Sequence, residues 1–196
     1  MTDKKIQRRR KIRIPFYTLL FYLLLLLRDR SAFTLLSLGS ALLHELGHGA
    51  AAHLLGVDIE EVTVYPFGAD IRLASRLRSY GTDALVAAAG AAVNLLLAAL
   101  AALLGWPMLT AANLVLAFVN LLPIGGLDGG VLFVTLLRKH GIPEEIPLKV
   151  TSFVCLLILW MTAVYVLLIA GGDPSLFVLA CGLFVSVFLR RKPTDG

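Results

Sequence analysis

His44 and His48 stand four residues apart in the run Ser40-Ala41-Leu42-Leu43-His44-Glu45-Leu46-Gly47-His48-Gly49-Ala50. At helical spacing the two side chains stack on one face. Two imidazoles so placed can grip one tetrahedral zinc ion. Glu45 follows His44 directly and lies close to the same face, where it can take a proton from a water that the metal activates. The flanking residues are almost all Ala, Leu and Gly, and an ionisable side chain at membrane depth is costly. A metal turns that costly cluster into a satisfied one. The plainer alternative, two histidines hydrogen-bonded to neighbouring helices, leaves Glu45 without a role. His53 lies five positions past His48, about 140° further round a helix of 3.6 residues per turn. It therefore points away from this face. His140 falls in a polar stretch and reads as solvated.

A catalytic zinc ion typically takes three protein ligands and keeps one position for water, so another His, Asp or Glu must join the pair. Asp128 is the leading candidate. It sits in Asn120-Leu121-Leu122-Pro123-Ile124-Gly125-Gly126-Leu127-Asp128-Gly129-Gly130, inside a long apolar stretch. Proline and clustered glycine do not sustain a regular helix. Irregular backbone at membrane depth survives only when it is buried or lines a wet cavity. A broken helix carrying a carboxylate suits a buried metal site. The alternative is a kinked helix in which Asp128 caps the second half. Asp70 and Asp83 are weaker contenders, the first in a wet hairpin and the second at a helix start.

The elements that must position these residues are apolar. Of 196 residues 58% are hydrophobic and 16% charged, and the mean hydropathy is +0.84. Soluble domains are less apolar and carry more charge, so lipid is the natural solvent for this surface. Six apolar segments can be read, at about residues 14–27, 32–55, 83–104, 107–137, 150–170 and 175–189, the fourth broken by Pro123 and its neighbouring glycines. The fold expected is an all-α polytopic membrane protein of about six transmembrane helices. Residues 57–73 differ: they are rich in β-branched side chains about a Pro66-Phe67-Gly68 turn. They read as a membrane-associated β-hairpin between the second and third spans, whose open edge could accept an extended peptide. A simple connecting loop is the alternative. Cys155 and Cys181 lie in apolar runs without zinc-type partners and read as packing residues.

The net charge is +5, and Lys4, Lys5, Arg8, Arg9, Arg10, Lys11 and Arg13 crowd the first residues. Directly before an apolar run, this is a cytoplasmic anchor against anionic lipid rather than a nucleic-acid site. Arg72, Arg76, Arg78, Arg138, Lys139, Lys149 and the tail Arg190, Arg191, Lys192 then fall on the same side, while Arg28 and Arg30 dissent. The reading is a basic cytoplasmic tail at 1–13, one transmembrane domain at 14–189 and a short basic tail at 190–196. The protein is placed in the cell membrane with both termini cytoplasmic.

The motif His44-Glu45-Leu46-Gly47-His48 in one span, with Asn120-Leu-Leu-Pro123 and Leu127-Asp128-Gly129 in a later one, resembles the site-2 protease family of intramembrane zinc metalloproteases. The layout and the Asp-Gly-Gly are most similar to the branch typified by sporulation factor IV FB, which processes a sigma-factor precursor. The resemblance implies His44, His48 and Asp128 as ligands of one zinc ion per chain and Glu45 as general base. It also implies that Asn120 and Pro123 shape the site beside the metal, with Asn120 holding substrate backbone. Ala89-Gly90-Ala91-Ala92-Val93-Asn94 resembles the family's small-residue motif, with Ala91 where proline is common. Asn94 could donate to the polarised carbonyl oxygen of a substrate, or equally make a helix–helix contact. The implied reaction is peptide-bond hydrolysis in a membrane-associated or transmembrane protein substrate. In regulated intramembrane proteolysis that substrate is a sigma-factor precursor or an anti-sigma factor. A metal-binding or metal-transport protein using the same ligands is the alternative. It would need His or acidic residues stepping across several spans, and the last two apolar segments have none.

Overall fold

The computed structural model describes residues 11–65, 68–73, 79–169 and 175–189. The Pro66-Phe67 turn, Arg76 and Arg78, the 171–174 loop, most of the basic head and the basic tail lie outside the described residues. Among the described residues the order is β1 (Lys11–Arg13), α1 (Phe16–Arg28), α2 (Ala32–Leu54), β2 (Ile59–Tyr65), β3 (Gly68–Leu73), α3 (Tyr80–Leu103), α4 (Pro107–Leu121), α5 (Asp128–Lys139), α6 (Glu145–Leu168) and α7 (Ser175–Leu189).

Local chemistry sets the helix ends. The Ser31 and Ser79 hydroxyls accept from the Thr34 and Thr82 amides and start α2 and α3, as expected of N-capping serines. Pro107 stands at the first position of α4, where its missing N–H costs nothing. Asp29, between α1 and α2, accepts from Thr34 and from Ser31. Those hydrogen bonds hold its carboxyl below the ordinary carboxylate range. The expected fourth segment is two helices, α4 and α5. The backbone leaves the helix at Leu122 and turns through Gly126 at φ +97°, a left-handed conformation that favours glycine.

The bundle is inside out relative to a soluble protein. Leu42, Leu46, Leu96, Leu103, Phe118, Ile158 and Leu168 face outward. The interior of α3 is a stripe of small residues, Ala87, Ala91, Asn94, Ala98 and Ala101. Helices in lipid approach through such residues, since apolar bulk gains little by leaving lipid for protein. Gly47 of α2 meets Ala89 and Val93 of α3 with no room for a side chain. The central α3 packs on α2, α4 and α5, while α6 packs on α7 and touches α5. Among the described residues two helices, α3 and α6, are long and apolar enough to cross a membrane.

The turn between α4 and α5 is anchored on both sides. Ile124 and Leu127 join Leu156 of α6 and Leu183 of α7 in a buried apolar cluster, and the Gly125 N–H donates to the Ser152 hydroxyl at 2.9 Å. Gly129 and Gly130 let α5 start against the carbonyls of Leu121, Leu122 and Ile124, where a Cβ would collide with backbone.

The expected hairpin is present, with β2 antiparallel to β3, but it is part of a three-stranded sheet in the order β1-β2-β3. Strand β1 pairs in parallel with β2. It comes from the last residues of what reads as a basic tail, and three residues carry too little pattern to announce a strand. The Arg13 guanidinium lies 2.6 Å from the Glu61 carboxylate across that pairing. Helix α1 holds the other end of β2: the buried Thr18 hydroxyl donates to the Val64 carbonyl at 3.1 Å and the Tyr22 hydroxyl to the Tyr65 carbonyl at 3.4 Å.

Candidate metal centre

Helix α2 presents His44 and His48 inward, both buried, with ring centroids 4.7 Å apart. The break before α5 delivers Asp128 to them. Its Oδ2 lies 3.0 Å from His44 Nε2 and 3.2 Å from His48 Nε2, and the two Nε2 atoms are 3.1 Å apart. The alternative role for Asp128, as a helix cap, is not what it adopts: Leu127 occupies the cap position of α5 and no side chain caps it.

The far sides of the rings fix where the hydrogens are. His48 Nδ1 faces the Val86 carbonyl at 2.7 Å, an acceptor only, so this nitrogen must be N–H. His44 Nδ1 faces the Asn94 Oδ1 at 2.5 Å. The Asn94 Nδ2 is committed elsewhere, donating to Asn113 Oδ1 at 2.8 Å, so His44 Nδ1 also donates. A neutral imidazole carries one N–H, which leaves both Nε2 atoms as lone pairs. Asp128 Oδ2 is buried without a hydrogen-bond partner. With both rings neutral, three acceptors converge with no hydrogen between them. Such an arrangement is costly unless a cation sits among them.

The triangle suits a transition metal. A tetrahedral zinc ion with ligand bonds of about 2.0–2.1 Å sets its ligand atoms about 3.3–3.4 Å apart, within a few tenths of an ångström of the distances above. Backbone carbonyls and amide oxygens on the outer ring nitrogens are the usual partners of metal-bound histidines. Among the described residues this is the group of three His, Cys, Asp or Glu that could hold an ion.

Gly90 of α3 forms the wall behind the rings. A Cβ there would lie 2.5 Å from His48 Nε2 and 2.6 Å from His44 Nε2. Glu45 is half-buried on α2 one residue from His44. Asn120 is half-buried near the end of α4, its amide donating to the Leu116 carbonyl of its own helix at 3.1 Å, and Pro123 is half-buried in the turn that leads to Asp128. Asn94 makes the helix–helix contact that stood as its alternative role. One amide hydrogen goes to Asn113 and the other toward the Ser40 carbonyl at 3.5 Å, so no hydrogen is left for a substrate oxygen; the acceptor, not the donor, faces the centre. His53 is exposed in the last turn of α2, His140 is exposed at the end of α5, and Asp83 lies in the first turn of α3 behind its Ser79 cap. Asp70 pairs with Thr63 in the sheet. Asn113 and Ser40 were not legible as site residues. The available signal was an asparagine inside the apolar α4 segment, where an unpaired amide would be expensive.

An apolar-surfaced helical bundle with a buried histidine pair joined by the half-buried Asp128 defines a membrane protein with a centre suited to a metal ion. Comparison with known proteins narrows this. Residues 32–109 match the model of peptidase family M50, a stretch that holds α2 and α3 but not Asp128. Rip3 of Mycobacterium tuberculosis, named as a zinc metalloprotease, is 34% identical over 120 residues, covering 53% of this chain and 30% of Rip3. Stage IV sporulation protein FB of Bacillus subtilis is 33% identical over 161 residues, covering 75% of this chain and 54% of that protein. The chain thus spans about half or less of the length of these relatives. The site-2 protease from Methanocaldococcus jannaschii shares the fold, with a TM-score of 0.69 at 20% identity over 98% of this chain and 95% of that one. Over residues 32–109 the chain is thus similar in sequence to peptidase family M50, and it shares the fold of a site-2 protease.

Proposed function

We propose that this chain is an intramembrane zinc metalloprotease that hydrolyses peptide bonds of membrane-associated or transmembrane proteins. The observation that carries the reading is the convergence of His44 Nε2, His48 Nε2 and Asp128 Oδ2 within 3.2 Å of one another. One zinc ion per chain would be held by these three residues. When bound, it supplies a Lewis acid that acidifies water and polarises a carbonyl.

The chain's own residues do the rest. Glu45 takes the proton of the attacking water and passes it to the departing amine, the work of a general base that becomes a general acid. The walls of α2, α3 and α5 keep bulk water out. Asn120 and Pro123 hold the substrate backbone beside the centre. A helical amide is shielded by its own hydrogen bonds, so a substrate must be extended before it is cut. Strand β3 lies against α2 and is an outer strand of the sheet, a template to which an extended segment can add.

In this reading the catalytic domain covers residues 14–189 and crosses the bilayer about six times, with both termini cytoplasmic. The likeness to Stage IV sporulation protein FB supports a substrate in regulated proteolysis, a sigma-factor precursor or an anti-sigma factor. The test is Glu45→Gln in the purified protein. Zinc should stay bound at one ion per chain while cleavage of a membrane-associated substrate falls by about 100-fold or more. Full activity in that variant removes Glu45 from the chemistry.

A further inference from the structure

Behind His44 runs a buried line of amides that begins at a backbone carbonyl. Asn113 Nδ2 donates to the Leu109 carbonyl of its own helix at 2.9 Å and lies 3.0 Å from the Ser40 hydroxyl. The Leu109 carbonyl can only accept, so it fixes which end of the Asn113 amide faces it. The Asn113 Oδ1 must then face Asn94, where it accepts from Nδ2 at 2.8 Å. This in turn points Asn94 Oδ1 at His44 Nδ1. Asn94 and Asn113 are both 0% exposed and Ser40 is 2% exposed, so bulk water does not reach these links. Three helices take part: α2 with Ser40 and His44, α3 with Asn94, and α4 with Asn113.

We propose that Asn113 is a positioning residue for the metal centre, acting through Asn94 to hold His44 in the tautomer whose Nε2 is a free lone pair. An amide is nearly symmetric in shape but not in hydrogen bonding. Without Asn113 Oδ1, nothing but the distant Ser40 carbonyl at 3.5 Å keeps Asn94 from turning over. A turned Asn94 would present N–H to His44 Nδ1, which must then accept, and the ring hydrogen would move to Nε2. The lone pair that faces Asp128 would be lost. Outer partners of metal-binding histidines commonly change affinity by about 10- to 100-fold. Val86 secures His48 with a backbone carbonyl that cannot turn, so the vulnerability is confined to His44.

The inference rests on reading His44, His48 and Asp128 as metal ligands, and the experiment separates the two. Zinc affinity is measured by chelator competition in the full-length protein and in Asn113→Leu, Asn94→Leu, Asn94→Asp and the double variant Asn94→Asp with Asn113→Leu. Asn94→Leu should weaken binding by about 10- to 100-fold and Asn113→Leu by a smaller factor in the same direction. A carboxylate offers His44 an acceptor whichever way it turns, so in the Asn94→Asp background Asn113→Leu should leave zinc affinity unchanged. Nitrogen NMR of histidine-labelled, metal-free protein should show the His44 ring hydrogen shifting from Nδ1 toward Nε2 in Asn113→Leu alone. Native affinity in Asn113→Leu, or the same loss in both backgrounds, would overturn the proposal, the latter by showing that Asn113 merely packs. Failure of the wild-type protein to bind zinc would sink the metal-site reading itself.

Discussion

His44 Nε2 and Asp128 Oδ2 lie 3.0 Å apart, and in the neutral ring, with its one hydrogen committed to Asn94, neither has one to share. The packing of α3 on α2 and on α5 brings the pair together. This has a consequence for the metal-free protein. Asp128→Asn would supply amide hydrogens to the facing Nε2 atoms while removing the charged ligand. Zinc content should fall well below one ion per chain. Yet at alkaline pH, where both rings are neutral, the metal-free variant should unfold at the same temperature as the metal-free wild type or higher, because a satisfied hydrogen bond replaces an unsatisfied group. Zinc at a thousand times its Kd should stabilise the wild type by about 4 kcal/mol and the variant hardly at all. A clearly lower midpoint for metal-free Asp128→Asn would show that the convergence carries no cost.

Gly90 sets the depth of the centre. Alanine improves helix propensity by about 0.5–1 kcal/mol, so α3 itself should tolerate Gly90→Ala. The imidazoles should not, since both Nε2 atoms lie within 2.6 Å of the new Cβ position. Zinc affinity should drop by about 10-fold or more, in line with disturbed ligand orientation, and chelator competition would read it. Unchanged affinity would mean that the rings have slack. Gly39→Ala, at a site with nothing within 4 Å, is the matched control.

Thr18 ties the sheet to α1. Thr18→Val keeps the shape and removes the donor to the partly buried Val64 carbonyl, at a cost of about 1–3 kcal/mol where no other donor replaces it. Amide exchange in β2 should accelerate about 5- to 100-fold by that measure, with zinc content unchanged. If β3 is the strand on which a substrate is extended, cleavage should fall alongside. Native exchange rates in β2 would show that the hydroxyl does not anchor the sheet.

Asp29 gives the loop between α1 and α2 a dependence on acid. Hydrogen bonds from Thr34 and Ser31 lower its pKa below the ordinary 3.8. A lowered folded-state pKa means that the stabilisation is fully present above that ordinary value and is lost as pH falls through the lowered one. The first turn of α2 should therefore fray only under strong acid. In Thr34→Val, which removes the leading hydrogen bond, the fraying should begin nearer the ordinary carboxylate pKa. Carbon NMR of the Asp29 carboxyl would read both titrations. An unmoved titration in Thr34→Val would remove that hydrogen bond as the cause.

The helix carrying His44, Glu45 and His48 could be read from spacing alone, because a four-residue repeat on a helix fixes which side chains are neighbours. The break at Pro123 and the hairpin at 59–73 were legible for the same local reason: proline, glycine and β-branched residues restrict their own backbone. The helix count was less so. The fourth apolar segment became α4 and α5 because the turn between them is long enough to reverse into a new packing, with Gly129 and Gly130 pressed on backbone carbonyls. Strand β1 was hidden because a strand of three basic and apolar residues exists only through its partner.

The sequence by itself determined an apolar, helical chain with two imidazoles on one face, and it named Asp128 as the residue best able to join them. Only the tertiary structure decided the tautomers. The hydrogen on His44 depends on Asn94, whose amide depends on Asn113, which is pinned by the Leu109 carbonyl, and these residues meet only when α2, α3 and α4 pack. Periodicity reports neighbours within one element. Which end of an amide faces which ring is settled by partners from other elements, because an amide's two ends differ in hydrogen bonding and hardly at all in shape.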